Sequence, residues 1–361
     1  MKQLFFTAGP SALFYTVEEH IKQALKEQVP SISHRSKAYE KLSKETTDNL
    51  RELLNVPNDY HLFFTSSASE VWSLLIENCV KKESFHIVNG AFSKKFYNTA
   101  IALNRRAGIH EISEGTCTSI DKVNIPKSAE LITIAQNETS TGAAQPLEDI
   151  YKLKALHPDK IVAVDCVSAL PYIDIDLKQI DSLYFSVQKG FGLPAGLGVW
   201  IVNNKCVDKA ISLKEKQVSI GSYHSIPSFL EKAKKHQTPA TPNVLAIYVL
   251  GKVAKDMLDR GIESIRRETV YKAAILYNMI KDHTILSPFV ENEKHQSKTV
   301  IVANTSIPSS KIIAAAAKKG MILSAGYGKN KDSQIRIANF PAHSKEQFEM
   351  LVDFLAEFKA V

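Results

Sequence analysis

The feature that most constrains the fold is an alternation, from about residue 16 onward, of short apolar segments with longer amphipathic ones. HLFFTS (61–66), KIVAVDCV (160–167) and SLYFSVQ (182–188) are strand-like. SEVWSLLIENCV (69–80) and LEDIYKLKALH (147–157) have helical spacing. Such alternation is typical of βαβ units. It predicts an α/β fold built on a mostly parallel sheet with helices on both faces.

The pattern changes after about residue 243. Two long helical segments, residues 243–261 and 262–282, precede a shorter β-α-β-α set. We therefore predict a large domain over residues 16–260 and a smaller C-terminal α+β domain over residues 261–361, with the N-terminal segment 1–15 packing nearby. The cleft between two such parts is the default position for a ligand.

Charge and cysteine usage exclude several classes of protein. The 45 lysines and arginines exceed the 38 acidic residues by 7 and are dispersed, without a basic stripe of interleaved aromatics. This indicates anionic small-molecule substrates and not nucleic acid. The four cysteines form no Cys/His cluster, so we expect reduced thiols and no metal site. Gly9-Pro10 interrupts the apolar N-terminal run, and no segment is long enough to span a bilayer. We predict a cytoplasmic protein.

The candidate site lies where the parallel strands end, because ligands of open α/β sheets bind beyond the carboxyl ends of the strands. Lys189 follows the strand-like segment 182–188 in a Gly-rich turn. A lysine held where water is scarce becomes a better nucleophile, although an ordinary turn lysine would fit the same position. Asp165 ends another apolar run, and a carboxylate there needs a partner. It is either a structural acid or the group that keeps a cofactor nitrogen protonated.

Three further segments allow both a binding and a structural interpretation. TSSASE (65–70) opens a helix, so it could bind a phosphate or simply cap the helix. His34-Arg35 could be a surface pair or could bind an anion. Arg336 interrupts an apolar strand-like run, so its guanidinium must emerge at an edge or face an anion.

Several motifs in order give the chain a specific resemblance. ISHRSKAYE (32–40), NETSTG (137–142) and QKGFGLPAGLGVWIV (188–202) are similar to the SHR, NET-x-x-G and lysine-loop motifs of class V, fold-type I aminotransferases that use pyridoxal 5′-phosphate (PLP). Within that class the chain most resembles the phosphoserine aminotransferase branch. The similarity runs nearly end to end and implies a large domain with a seven-stranded sheet.

The resemblance also implies roles for individual residues. Lys189 would carry PLP as a Schiff base, and Asp165 would pair with its pyridinium nitrogen. The other implied cofactor contacts are Ser69, Glu70, Phe92, Thr139, Ser168 and Gln188, with Gln237 and Thr238 reaching the phosphate from the neighbouring subunit of a homodimer. The implied substrate contacts are Ala8, His34, Arg35 and Arg336.

The activity implied is transamination between L-phosphoserine and 2-oxoglutarate, a step of serine biosynthesis. The chain departs from that branch at Glu70, where many members have an arginine, and at Phe92, where they have tryptophan. One alternative is a class V aminotransferase acting on serine, alanine or glyoxylate. The other is a non-enzymatic α/β binding protein, against which the joint presence of Asp165, Gln188 and Lys189 argues.

Overall fold

A computed structural model describes residues 3–359 of the chain. Its strands are β1 (Leu4–Phe5), β2 (Tyr60–Thr65), β3 (Glu83–Val88), β4 (Arg106–Glu111), β5 (Leu131–Ala135), β6 (Asn137–Glu138), β7 (Ala143–Ala144), β8 (Ile161–Asp165), β9 (Ser182–Ser186), β10 (Gly198–Asn203), β11 (Leu286–Pro288), β12 (Val300–Thr305), β13 (Met321–Ile322), β14 (Ser324–Ala325) and β15 (Gln334–Ala338).

The helices connect these strands and cover the sheets. They are α1 (Val17–Lys26), α2 (Lys37–Leu53), α3 (Ala68–Cys79), α4 (Ala91–Ala102), α5 (Leu147–Leu156), α6 (Asn204–Glu215), α7 (Ile226–Ala233), α8 (Val244–Arg260), α9 (Ile262–Lys281), α10 (Ser309–Lys318) and α11 (Lys345–Glu357). None of the described helices is long and apolar enough to cross a membrane.

The main sheet has seven strands in the order β2-β10-β9-β8-β5-β3-β4. Strand β10 is antiparallel to both of its neighbours, and the other six strands share one direction. The short connection between β9 and β10 explains this exception, because parallel neighbours need a longer crossover. The carboxyl ends of β5, β8 and β9 therefore lie side by side.

Alternation along the central strands produces a core on each face of this sheet. In β8, Val162 and Val164 join the apolar cluster that includes residues of α1, α2 and α8. Ile161 and Ala163 point the other way, into the cluster with residues of α3, α4, α6 and α7. Burial on both faces is why these strands read as nearly continuous apolar runs.

A second, four-stranded antiparallel sheet has the order β11-β12-β15-β14 and packs with α9, α10 and α11 around its own apolar cluster. Strand β1 pairs in parallel with β13, and Phe6 is buried in the same cluster, so the N-terminal segment contacts this part of the fold. The domain boundary near residue 260, which falls at the junction of α8 and α9, stays a prediction.

Candidate active site

Lys189 lies just beyond the end of β9 and is buried, with 6% of its surface exposed. Its Nζ donates a hydrogen bond to Thr139 Oγ1 over 2.8 Å. Burial lowers the pKa of Lys189, and the carboxylates of Asp165 and Glu138 limit the fall. A larger uncharged fraction of the amine near neutral pH is what a nucleophilic lysine requires.

Asp165 is the last residue of β8, and its Oδ1 accepts a 2.9 Å hydrogen bond from the amide of Val167. Burial raises the pKa of this carboxyl group, while the Val167 amide and then the charge of Lys189 oppose the rise. Parallel pairing of β8 with β9 brings Asp165 and Lys189 to the same edge of the sheet. Burial thus lowers the pKa of the amine and raises the pKa of the carboxyl group, so it favours the uncharged form of both.

A row of hydroxyl groups connects this pair to the β5 side of the site. Thr139 Oγ1, which accepts from Lys189, donates to Ser168 Oγ over 2.9 Å. Asn137 Nδ2 also donates to Ser168 Oγ over 2.9 Å, and Thr299 Oγ1 donates to the Ser168 carbonyl over 2.6 Å. The predicted residues Thr139 and Ser168 thus lie together with Lys189. The hydrogen bond from Thr299, the residue before β12, connects them to the second sheet.

Glu138 is a site residue that the sequence prediction did not include. It is 1% exposed and accepts from the backbone amides of Phe92, Ser93 and Ser140 and from the hydroxyl groups of both serines. Gly90, the residue before α4, has no side chain to cap the helix, and a Cβ there would lie 2.4 Å from Glu138 Cγ. Glu138 therefore takes over the cap of α4. The signal in the sequence was an acid inside NETSTG, directly before Thr139.

Phe92 is held in the first turn of α4 by that cap. The Lys189 Nζ lies 5.3 Å from the centre of its ring, close enough for a cation–π contact. The ring of Tyr327, from the connection between β14 and β15, lies 5.4 Å from that of Phe92. Phe92 thus lines the site as predicted in position, while its stacking on a cofactor stays a prediction.

Arg336 lies in the middle of β15 and is half-buried. Its Nε donates to the Ala325 carbonyl over 2.9 Å, and its guanidinium carbon lies 5.2 Å from the centre of the Tyr327 ring. One terminal nitrogen reaches the Thr139 carbonyl over 3.5 Å, which is at the limit of a hydrogen bond. Arg336 therefore points into the site, and no carboxylate pairs with it within residues 3–359.

The N-terminal segment also enters the site. A Cβ on Gly9 would lie 2.8 Å from Lys189 Cε, and Gly9 has a φ of +140°, so only glycine fits there without strain. The amide of the preceding residue, Ala8, donates to Ser324 Oγ over 3.1 Å. Gln188 joins the same segment because its carbonyl accepts from the amide of Ser11.

The TSSASE segment does cap α3. Ser67 Oγ accepts from the amide of Glu70 over 3.3 Å, and Ser69 is exposed in the first turn. The Glu70 carboxylate accepts from the amide and hydroxyl of Ser66, each over 2.7 Å, and contacts His224 Nδ1 over 2.5 Å. The capping interpretation is confirmed, and binding of a phosphate stays a prediction. His224 was not anticipated from the sequence.

The remaining predicted residues form a separate cluster. Arg35 donates to Gln237 Oε1 over 3.0 Å, to the Thr238 carbonyl over 2.8 Å and to the Pro239 carbonyl over 3.1 Å. His34 precedes it in the same turn before α2. In the described part of the chain, no hydrogen bond, ion pair or ring contact joins Arg35, Gln237 or Thr238 to Lys189. The structure thus brings these residues together, but apart from the lysine.

The side chains around Lys189 fit PLP. The buried lysine could react with the aldehyde of PLP, and the carboxyl group could pair with its pyridine nitrogen. The aromatic ring matches the planar ring of PLP, and the hydroxyl-rich N-terminus of a helix matches its phosphate. Lys189, Asp165 and Phe92 would hold the ring end, and the start of α3 would hold the phosphate. Among the described residues no cluster of histidine, cysteine or acidic side chains could hold a metal ion.

Comparisons with known proteins agree with this fold and site. The family described as aminotransferase class-V matches residues 3–332, and the chain belongs to that family. The chain is 47% identical to a phosphoserine aminotransferase from Cytophaga hutchinsonii, covering 98% of both chains with a TM-score of 0.97. It is 27% identical to the phosphoserine aminotransferase of Lactococcus lactis subsp. cremoris over 98% of each chain.

A more distant structure shows how widely the fold is shared. An aspartate aminotransferase from Thermus thermophilus has a TM-score of 0.86 at 20% identity, with 98% of both chains covered. The predicted fold-type I architecture and the assignment to PLP-dependent aminotransferases are confirmed.

Proposed function

We propose that this aminotransferase converts L-phosphoserine and 2-oxoglutarate to 3-phosphohydroxypyruvate and L-glutamate, the transamination of serine biosynthesis. The observation that carries the proposal is the whole-length, 47% identical relative that has this name, combined with an Arg336 that faces the site and forms no ion pair within residues 3–359. The four thiols are free, which suits a cytoplasmic location.

The chain's own groups divide the reaction between them. PLP, when bound, supplies an electron sink for the charge left on the substrate α-carbon. The Lys189 amine is the base that takes the proton from the substrate α-carbon. It can do so because burial keeps a fraction of the amine uncharged. Asp165 holds a proton on the pyridine nitrogen. Arg336 binds the α-carboxylate with its paired N–H donors.

The choice of amino donor tests this proposal. We expect the PLP-loaded enzyme to use phosphoserine and glutamate with a far higher kcat/KM than serine or alanine, measured by coupled detection of the keto-acid product. Lys189→Ala should bind the same donors and not turn over. An enzyme that prefers serine, alanine or glyoxylate would instead support the alternative substrates, and one that turns over no amino acid would support a binding protein.

We also propose a homodimer with shared sites. The cluster of Arg35, Gln237 and Thr238 contains the residues expected at the cofactor phosphate and the substrate, yet it has no contact with Lys189 in the described part of the chain. Two copies related by a twofold axis could place one subunit's cluster against the other's lysine. A single subunit would then contain two incomplete halves of different sites.

Mixed dimers test this arrangement. Lys189→Ala and Arg35→Ala chains, each nearly inactive alone, are unfolded together and refolded. If the sites are shared, each hybrid has one site free of both substitutions, and activity returns to about one quarter of the wild-type value because half of random dimers are hybrids. If each subunit holds a complete site, no hybrid has an intact one, and activity does not return.

A further inference from the structure

Lys95 is an exposed cation of α4 that contacts two aromatic residues of the site and that the mechanism above leaves unused. Its Nζ lies 2.7 Å from the hydroxyl of Tyr327 and 5.2 Å from the centre of the Phe92 ring. The Phe92 ring is also the one that the Lys189 Nζ approaches. The Tyr327 ring contacts two cations, with Lys95 Nζ at 5.3 Å and the Arg336 guanidinium carbon at 5.2 Å from its centre.

Lys95 has no acidic partner within residues 3–359. Its neighbour Lys94 forms an ion pair with Glu111 over 2.9 Å, whereas the polar and ring contacts of Lys95 with described residues are to a hydroxyl group and aromatic rings. A neutral hydroxyl orients an ammonium group but leaves its charge uncompensated. The charge of Lys95 is therefore available to an anion that enters the site.

The start of α3, by contrast, has no lysine or arginine in its own segment, TSSASE (65–70). Glu70 stands there, and its carboxylate is already bound by Ser66 and His224. Phosphoserine and glutamate each carry a second anionic group a few bonds from the α-carboxylate. Arg336 and Lys95, which both contact Tyr327, are two cations that could bind the two anionic groups of such a molecule.

We propose that Lys95, oriented by the hydroxyl of Tyr327, is a specificity-determining residue that binds the distal anion of the amino donor, whether phosphate or carboxylate. The proposal rests on the proposed function, because it assumes that Arg336 holds the α-carboxylate of a donor with two anionic groups. It gives the site a cation on the same chain as Lys189, in addition to any contributed by a second subunit.

The test compares two adjacent lysines of α4 in the PLP-loaded enzyme. Lys95→Gln should lower kcat/KM for phosphoserine and glutamate about three- to tenfold, the range between an exposed ion pair and a charged hydrogen bond. It should change the value for alanine less than about twofold. Lys94→Gln, whose partner is Glu111, should change none of the three, and Lys95→Arg should keep most of the discrimination.

Binding measured without turnover separates recognition from chemistry. In a Lys189→Ala background, adding Lys95→Gln should raise the Kd of phosphoserine by the same factor, measured by calorimetry. Tyr327→Phe, which keeps the ring and removes the hydroxyl, should give a smaller loss in the same direction.

Two outcomes would overturn the role of Lys95. One is an equal loss for alanine and phosphoserine, which would make Lys95 structural, and the other is an unchanged kcat/KM for phosphoserine in Lys95→Gln. A wild-type enzyme that uses alanine but neither phosphoserine nor glutamate would instead overturn the proposed substrates, and this site with them.

Discussion

Replacing Glu138 by glutamine tests whether this carboxylate organises the site. Both of its oxygens accept from backbone amides, with Oε1 facing Phe92 and Ser140 and Oε2 facing Ser93. Backbone amides cannot rotate as hydroxyl groups can. In either orientation the NH2 group of a glutamine would therefore face at least one N–H donor.

The magnitude follows from those contacts. One buried amide left without an acceptor costs about 1–3 kcal/mol, and the bonds that remain lose the assistance of the negative charge. We expect Glu138→Gln to lower the free energy of unfolding by about 2–4 kcal/mol. Because Glu138 caps α4, the change should also loosen Phe92 and weaken the retention of PLP.

Urea unfolding followed by circular dichroism measures the first effect, at a single chain concentration because the stability of the proposed dimer would depend on it. The visible absorbance of bound PLP after dialysis measures the second. Glu111→Gln, at the exposed end of β4, is the matched control and should stay within about 0.5 kcal/mol of the wild type. If Glu138→Gln unfolds at the wild-type midpoint and keeps PLP equally well, the carboxylate is not the cap inferred here.

Asp165→Asn should fold and bind PLP, but its activity should fall at least about 100-fold, because an amide cannot hold a proton on the pyridine nitrogen. Full activity of this variant would remove Asp165 from the mechanism. In the cofactor-free protein the same change should shift the pH midpoint for reductive methylation of Lys189 downward, since the Asp165 carboxylate raises the pKa of that lysine. Mass spectrometry of the Lys189 peptide across a pH series measures the midpoint, and an upward shift would contradict the electrostatic argument.

Much of the architecture could be predicted because the buried strands carry a strong local signal. Segments such as residues 161–165 and 182–186 are buried on both faces and mostly apolar, and helices such as α5 bury one apolar side. Helices α6 and α7 were not predicted. Their buried residues do have helical spacing, at 206, 207, 210 and 213 in α6 and at 226 and 229 in α7. However, α6 begins directly after β10 without a turn signal, and α7 has only eight residues with a proline in its first turn, so neither gives a long periodic segment.

The site was predictable mainly where a residue stands at or just beyond the end of a strand. Asp165 and Lys189 were found because the carboxyl ends of parallel strands meet at one edge. Tyr327 could not be found in this way, because its position depends on how the second sheet packs against α4. The cluster around Arg35 likewise depends on a contact between residues about 200 positions apart, which no local pattern encodes.

The balance of charge in the site explains why cations beyond Lys189 and Arg336 matter. The carboxylates of Asp165 and Glu138 act on Lys189, and Tyr327 and then Glu138 act on Arg336, although Arg336 forms no ion pair within residues 3–359. These groups offset part of the positive charge that an amino donor with two anionic groups would meet at Lys189 and Arg336. Further cations that form no ion pair would therefore add to the attraction. Lys95 supplies one on the same chain, and Arg35, whose hydrogen bonds in the described part of the chain go to carbonyl and amide oxygens, would supply another if the proposed dimer shares its sites.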